Sequence, residues 1–251
     1  MMYKTIKYEK KDKVALITLN RPERLNAWTP LMSSEQVSAL THANEDANIG
    51  SIVMTGAGKG FCAGADMEEA LSINYDDARI PDETDWIDLI RSSKPIIAAV
   101  NGSAIGVGVT MILPFDTIIA SEKSKFGMFF IRMGLVPELA SSHFLVQRMG
   151  FGKASELCLS GRLVNAEEAE STGLIDFLFN EEVMLEEAIK KAKLIAENPG
   201  PQLRMVKELL TKNGSETDLT KAQERESALL RECWKTPEHK KAVENFLRGK
   251  G

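Results

Sequence analysis

Apolar and polar positions divide the chain into a strand-rich front and a helix-only tail. Residues 3–10 and 13–20 read as two strands joined by a tight turn at Lys11–Asp12, the second alternating as VALITLN. After the loop NRPERLNAWTP, Thr29–Pro30 opens a helix over about 31–47, because proline is pre-shaped for a first helical position. SIVMT (51–55) is a short buried strand, and GAGKGFCAGAD (56–66) a glycine-rich turn. Asp66 can cap a short helix after it. Residues 72–82 are polar and read as a loop, and 85–92 as a helix. SSKPIIAAV (92–100) then carries a buried strand at 96–100. NGSAIGVGVTMILPF (101–115) passes from a glycine-rich turn into an apolar helix start.

Strands at 116–120 and near 125–126 come next, then GMFFIRMGLVPE as a loop with little periodicity. Pro137 begins a helix over about 138–149, which Gly150 ends. Short helices at 151–160 and 166–172 precede a last strand, LIDFLF (174–179). From 181 onward the spacing is helical. Residues 185, 188, 189, 192, 195 and 196 form one apolar face, and 219, 222, 229, 230, 233 and 234 another. Pro199, Pro201 and Pro237 divide this tail into three segments. The organisation expected is an α/β core, residues 1–197, followed by a helical region, 198–251.

One pattern repeats: strand, glycine-rich turn and helix occur at 51–70 and again at 96–113. Such turns present helix N-terminal N–H groups that lack partners and favour negative charge. Two of them in one core offer one N–H each to a single oxygen.

Composition narrows the functions available. A net charge of -5 argues against a general nucleic-acid binder. Cys62, Cys158 and Cys233 are far apart, without metal spacing, which fits a reduced intracellular compartment. MMYKTIKYEKKDK has no apolar signal core, no run reaches membrane-spanning length, and RGKG is not a peroxisomal address. The expectation is a cytoplasmic protein with no membrane span. No metal cluster, phosphate-binding loop or flavin signature appears, so no cofactor is expected.

FCAGADM (61–67) and KPIIAAVNGSAIGVG (94–108) resemble the crotonase superfamily of enoyl-CoA hydratases and isomerases. So do LNRPERLNA (19–27), SGRLVNAEEAESTGLID (160–176) and the helical tail. The resemblance implies an α/β spiral of ββα units with a C-terminal helical extension, assembled as a homotrimer or a dimer of trimers. It implies an acyl-CoA substrate, with CoA arriving as part of that substrate. Carried over by position, it places oxyanion-hole N–H groups on Ala65 and Val107, where many members have glycine at the latter. It places the CoA and acyl moieties along Arg24, Leu25, Ala27, Ala63, Asp66, Met67, Gly106, Thr110, Phe130 and Pro137.

The chain departs from the resemblance at its acids. Hydratases of the family orient water with two glutamates, and here those positions are Thr110 and Phe130. Glu138, in LVPELASS, stands where some Δ3,Δ2-enoyl-CoA isomerases of the family carry a single catalytic glutamate. One base suffices to move a double bond, and the apolar Met128, Phe129, Phe130, Ile131 and Met133 could keep water out. Three readings follow: a Δ3→Δ2 enoyl-CoA isomerase, an enoyl-CoA hydratase of fatty-acid β-oxidation, and a non-catalytic acyl-CoA binder. The plainer reading of Glu138 is a first-turn helix acid. That of Thr110 is a hydroxyl bonding its own helix. Arg21 and Arg24 read as solvated charges, Cys62 as packing, His143 as structural or surface, and Asp116 as a buried or capping group.

Overall fold

The computed structural model describes residues 3–71 and 86–249. The sequence-predicted loop at 72–82 and the first residue of the helix at 85–92 lie outside them. The chain begins with an antiparallel hairpin, β1 (Ile6–Lys11) and β2 (Val14–Leu19), turned at Asp12 with φ 57°. Helix α1 (Pro30–Glu45) follows, its first turn capped by the Thr29 side chain accepting from Met32 N.

Three passes of one unit then build two sheets. β3 (Ser51–Gly56) and β4 (Gly60–Cys62) lead to α2 (Met67–Leu71). After α3 (Trp86–Ser92), β5 (Ile96–Val100) and β6 (Ser103–Ile105) lead to α4 (Val107–Thr110). β7 (Thr117–Ser121) and β8 (Lys125–Gly127) lead to a 3-10 turn at Phe129–Met133. The first strand of each pass joins a six-stranded sheet and the second a four-stranded sheet. With β9 (Leu163–Asn165) and β10 (Phe177–Phe179) the orders are β1-β2-β3-β5-β7-β10 and β4-β6-β8-β9. Each pass advances one strand position, which is the spiral of ββα units expected.

The inner strands β2, β3, β5 and β7 of the large sheet are buried on both faces, so they read as largely apolar runs. Alternate residues split between two cores. Ile52, Met54, Ile96, Ala98 and Val100 face the main core. Val14, Leu16, Val53, Ile97 and Ala99 face Met184, Ala188 and Ala192 of α8 (Glu181–Ala196). Helices α5 (Ser141–Met149), α6 (Phe151–Ser160) and α7 (Ala166–Thr172) lie between β8 and α8 in the chain. The tail continues as α9 (Gly200–Asn213), α10 (Leu219–Lys235) and α11 (Pro237–Leu247). Lys207 of α9 reaches Asp116 at 2.8 Å and Ser93 Oγ at 3.3 Å, joining the tail to the strand layer. Burial lowers the Lys207 pKa to about 8.

Several expectations are corrected. Both glycine-rich turns contain a short strand, β4 and β6, and the apolar helix after Gly106 is one turn long. β9 had no sequence signal beyond three residues. From 181 onward the described residues form four helices rather than three segments, because Gly214 ends α9 and the Asp218 side chain caps α10 through Thr220 N. The segment 129–133 is a 3-10 turn. The helix expected from Glu138 begins at Ser141, since Leu139 (φ 54°) and Ala140 (φ 52°) are left-handed and break the helical path.

Candidate active site

The two glycine turns meet because their strands pair. β4 and β6 run parallel, with Cys62 opposite Ala104. Gly106 takes φ 53° and ψ -118°, a conformation open to glycine, and so turns β6 into α4. Two residues on, a Cβ on Gly108 would lie 2.3 Å from the Cys62 carbonyl oxygen, so α4 seats directly on β4. Cys62 itself is buried and free, its thiol pushed up to about 11 by burial, which agrees with a packing role.

The turn after β4 is held from the other side. Trp28 and Ala65 form a parallel bridge, with Trp28 N donating to Gly64 O and Asp66 N to Trp28 O, both at 2.8 Å. Asn26 is fully buried, with Nδ2 donating to Ala57 O and Gly60 O and Oδ1 accepting from Arg21 N. Arg21 is not a solvated charge. It donates to Ala27 O at 2.7 Å and to Asp66 Oδ2 at 2.8 Å, and this contact holds the Asp66 carboxyl below the usual carboxylate range. The other Asp66 oxygen accepts from Glu68 N, the capping role expected.

Between these turns and the 129–139 segment lies a cavity of about 640 Å³. Ala63, Ala65, Met67, Gly106, Val107, Phe130 and Glu138, all among the candidate residues named from the sequence, line it. Among the described residues, the N–H groups of Ala65 and Val107 have no backbone acceptor. Val107 is the first residue of its helix, so its N–H has no partner within the turn. The bridge to Trp28 uses the Gly64 carbonyl and the Asp66 N–H, leaving the Ala65 N–H outside it.

Glu138 is the one charged side chain among the described residues of the wall. The Thr110 hydroxyl donates to Glu138 Oε1. A longer contact, 3.5 Å, reaches Val107 O of its own helix, the backbone bond expected; the bond to the acid is additional to it. Thr110 is fully buried behind the wall. Arg24, Leu25, Ala27, Asp66 and Pro137 also lie outside the wall. Arg24 is taken up by Glu68, and the left-handed Leu25 and Asn26 turn the Leu25 side chain to the surface. Asp116 is structural, accepting from Ile96 N, Arg91 and Lys207. His143 is exposed.

Trp28, Gln36, Trp86 and Met111 also line the wall, and no motif marks them. Trp86 Nε1 donates to Met111 O at 2.9 Å. The signal available for Gln36 was a polar residue in the buried stripe Met32, Ala39, Leu40, Ala43 of α1.

A spiral of ββα units whose paired glycine turns expose two backbone donors in an apolar cavity is the architecture of acyl-CoA enzymes of the crotonase type. The Enoyl-CoA hydratase/isomerase family model matches residues 9–250, and the chain belongs to that family. It is 36% identical over 248 residues to a probable enoyl-CoA hydratase of Rhizobium meliloti, covering 98% of this chain and 96% of that one. It is 32% identical to the 1,2-epoxyphenylacetyl-CoA isomerase of Escherichia coli, covering 93% and 92%. The crystal structure of an enoyl-CoA hydratase from Bacillus anthracis superposes with a TM-score of 0.93 at 30% identity, covering 98% and 97%.

Proposed function

We propose that this chain is a Δ3→Δ2 enoyl-CoA isomerase in which Glu138 moves the proton and the N–H groups of Ala65 and Val107 hold the thioester oxygen. The carrying observation is one carboxylate, oriented by Thr110, in the wall that also presents two backbone N–H groups without backbone acceptors. Glu138 takes a proton from C2 of a 3-enoyl thioester, and the electron pair passes to the thioester oxygen as a dienolate. Fixed donors at that oxygen are worth roughly 3–4 kcal/mol of barrier each. The same carboxyl then delivers the proton to C4. Water has no part in this cycle, which suits the apolar Phe129, Phe130, Met133 and Leu135 beside the acid. The CoA portion runs past Arg24, Leu25, Ala27 and Asp66, and no further cofactor is required.

Proton NMR in heavy water with 3-enoyl-CoA tests this. Glu138→Gln is expected to abolish C2 exchange and isomerisation while still binding the ester; full activity in that variant would sink the proposal. The hydratase names of relatives favour a second reading, water addition with Glu138 as the acid-base group. Loss of enoyl absorbance on crotonyl-CoA distinguishes it. Tight ester binding without turnover or exchange would instead point to the non-catalytic binder.

We also propose that residues 198–251 form a trimerisation region, in a homotrimer or a dimer of trimers. Leu219, Trp234 and Phe246 of α10 and α11 are exposed in the single chain, which supports this. Light scattering of the purified protein measures it. Among the described residues no helix is long and apolar enough to cross a membrane.

A further inference from the structure

We propose that the cavity selects acyl chains carrying a neutral oxygen substituent, a hydroxyl, keto or ether group, recognised by the amide of Gln36. This rests on the reading of the cavity as an acyl-CoA site. Gln36 is 1% exposed and lies in the cavity wall. Its neighbours on the buried stripe of α1 are all apolar. A glutamine amide has two N–H donors and a carbonyl acceptor. Here its one hydrogen-bond partner among the described residues is Met111 Sδ, at 3.8 Å from Nε2, and a thioether is a weak acceptor. Asn26, equally buried, shows what a structural amide looks like: both ends are bonded to backbone, at 2.8 to 2.9 Å. Gln36 lacks such backbone bonds, and its amide stands in the cavity wall, where a ligand can supply a partner.

The chemistry of that partner follows from the wall. Ser33, three residues earlier on the same helix face, also lines the cavity, so α1 contributes a polar spot to a wall whose other side chains are apolar apart from Glu138. Among the described residues no cation lines the cavity, and Glu138 already places one negative charge there. A second carboxylate on the substrate is therefore disfavoured, whereas a neutral oxygen accepts from Nε2, and a hydroxyl also donates to Oε1. A plain alkyl chain leaves the amide unpaired. Sites built for a hydroxyl reject the analogue lacking it for this reason.

The test uses saturated acyl-CoAs of one chain length, with a hydroxyl at successive carbons, beside the alkyl parent. None of them has a double bond to move, so binding is read by calorimetry independently of Glu138 chemistry. The native protein is expected to bind at least one hydroxylated member roughly tenfold tighter than the parent. Gln36→Leu, and in parallel Gln36→Met, are expected to lose that preference and bind the parent more tightly than the native protein does. Equal or weaker binding of every hydroxylated member by the native protein overturns the proposal. So does a preference that persists in both variants. Failure of all members to bind, the parent included, overturns the acyl-CoA reading itself and this proposal with it.

Discussion

The two halves of the cavity are made of different material. The turns at 62–66 and 105–108 present backbone N–H groups fixed by paired strands. The opposite side, 128–140, presents side chains on a 3-10 turn and a loop with two left-handed residues. The backbone half is indifferent to side-chain identity, so valine at 107 keeps the donor. The side-chain half changes its chemistry with every substitution, as Phe130 illustrates. On the proposed reading, one half selects the class of ester activated and the other selects what happens to it. Relatives bearing hydratase and isomerase names on one fold are what such a division produces.

The largest effect expected comes from the side-chain half. Glu138→Gln should abolish turnover, a loss of at least about a thousandfold in kcat, with little change in ester affinity, measured by stopped-flow isomerisation and by calorimetry. On the backbone half, Val107→Pro removes the N–H at a helix position that accepts proline. A drop in kcat of about a hundredfold is expected, with thermal denaturation confirming the fold; unchanged turnover would deny Val107 its donor role. Thr110 links the halves, since it sits on α4 and bonds Glu138. Thr110→Val should lower kcat about tenfold and shift the pH profile of Glu138, and Thr110→Ser should restore both. A stability loss with an unmoved pH profile would make Thr110 merely structural.

The smallest effect expected concerns the Arg21–Asp66 pair behind the Ala65 turn. The Asp66 carboxyl is depressed below its ordinary 3.8 by the Arg21 hydrogen bond. Such a group contributes stability that is full above the unfolded value and is lost as pH falls through the lower folded one. The Tm gap between native protein and Asp66→Asn should be constant near neutrality and close in acid. A gap that stays open at low pH would mean the carboxylate charge is not what the turn uses.

The backbone half was the legible one. Glycine spacing, the apolar runs at 51–55 and 96–100, and the Thr29–Pro30 helix start all state local requirements, and the fold obeys them. The three-residue strands β6 and β9 escaped because so few residues carry no period. Glu138 was found as a residue but placed wrongly in a helix, because its loop depends on left-handed φ angles at Leu139 and Ala140, residue types that seldom adopt them. Trp28, Gln36 and Trp86 come from separate elements, and their meeting at one cavity is a tertiary fact. The bond from Thr110 to Glu138 spans 28 residues and has no local sign.

Gly108 resting on the Cys62 carbonyl has a metric consequence. The two turns leave neighbouring hydrogen-bonded strands, β4 and β6, so they start about 4.8 Å apart, the spacing of strands in any sheet. That distance is set by peptide geometry and does not drift with surface substitutions. The turns thus start from a fixed spacing, and substitutions on the acid side leave that spacing in place.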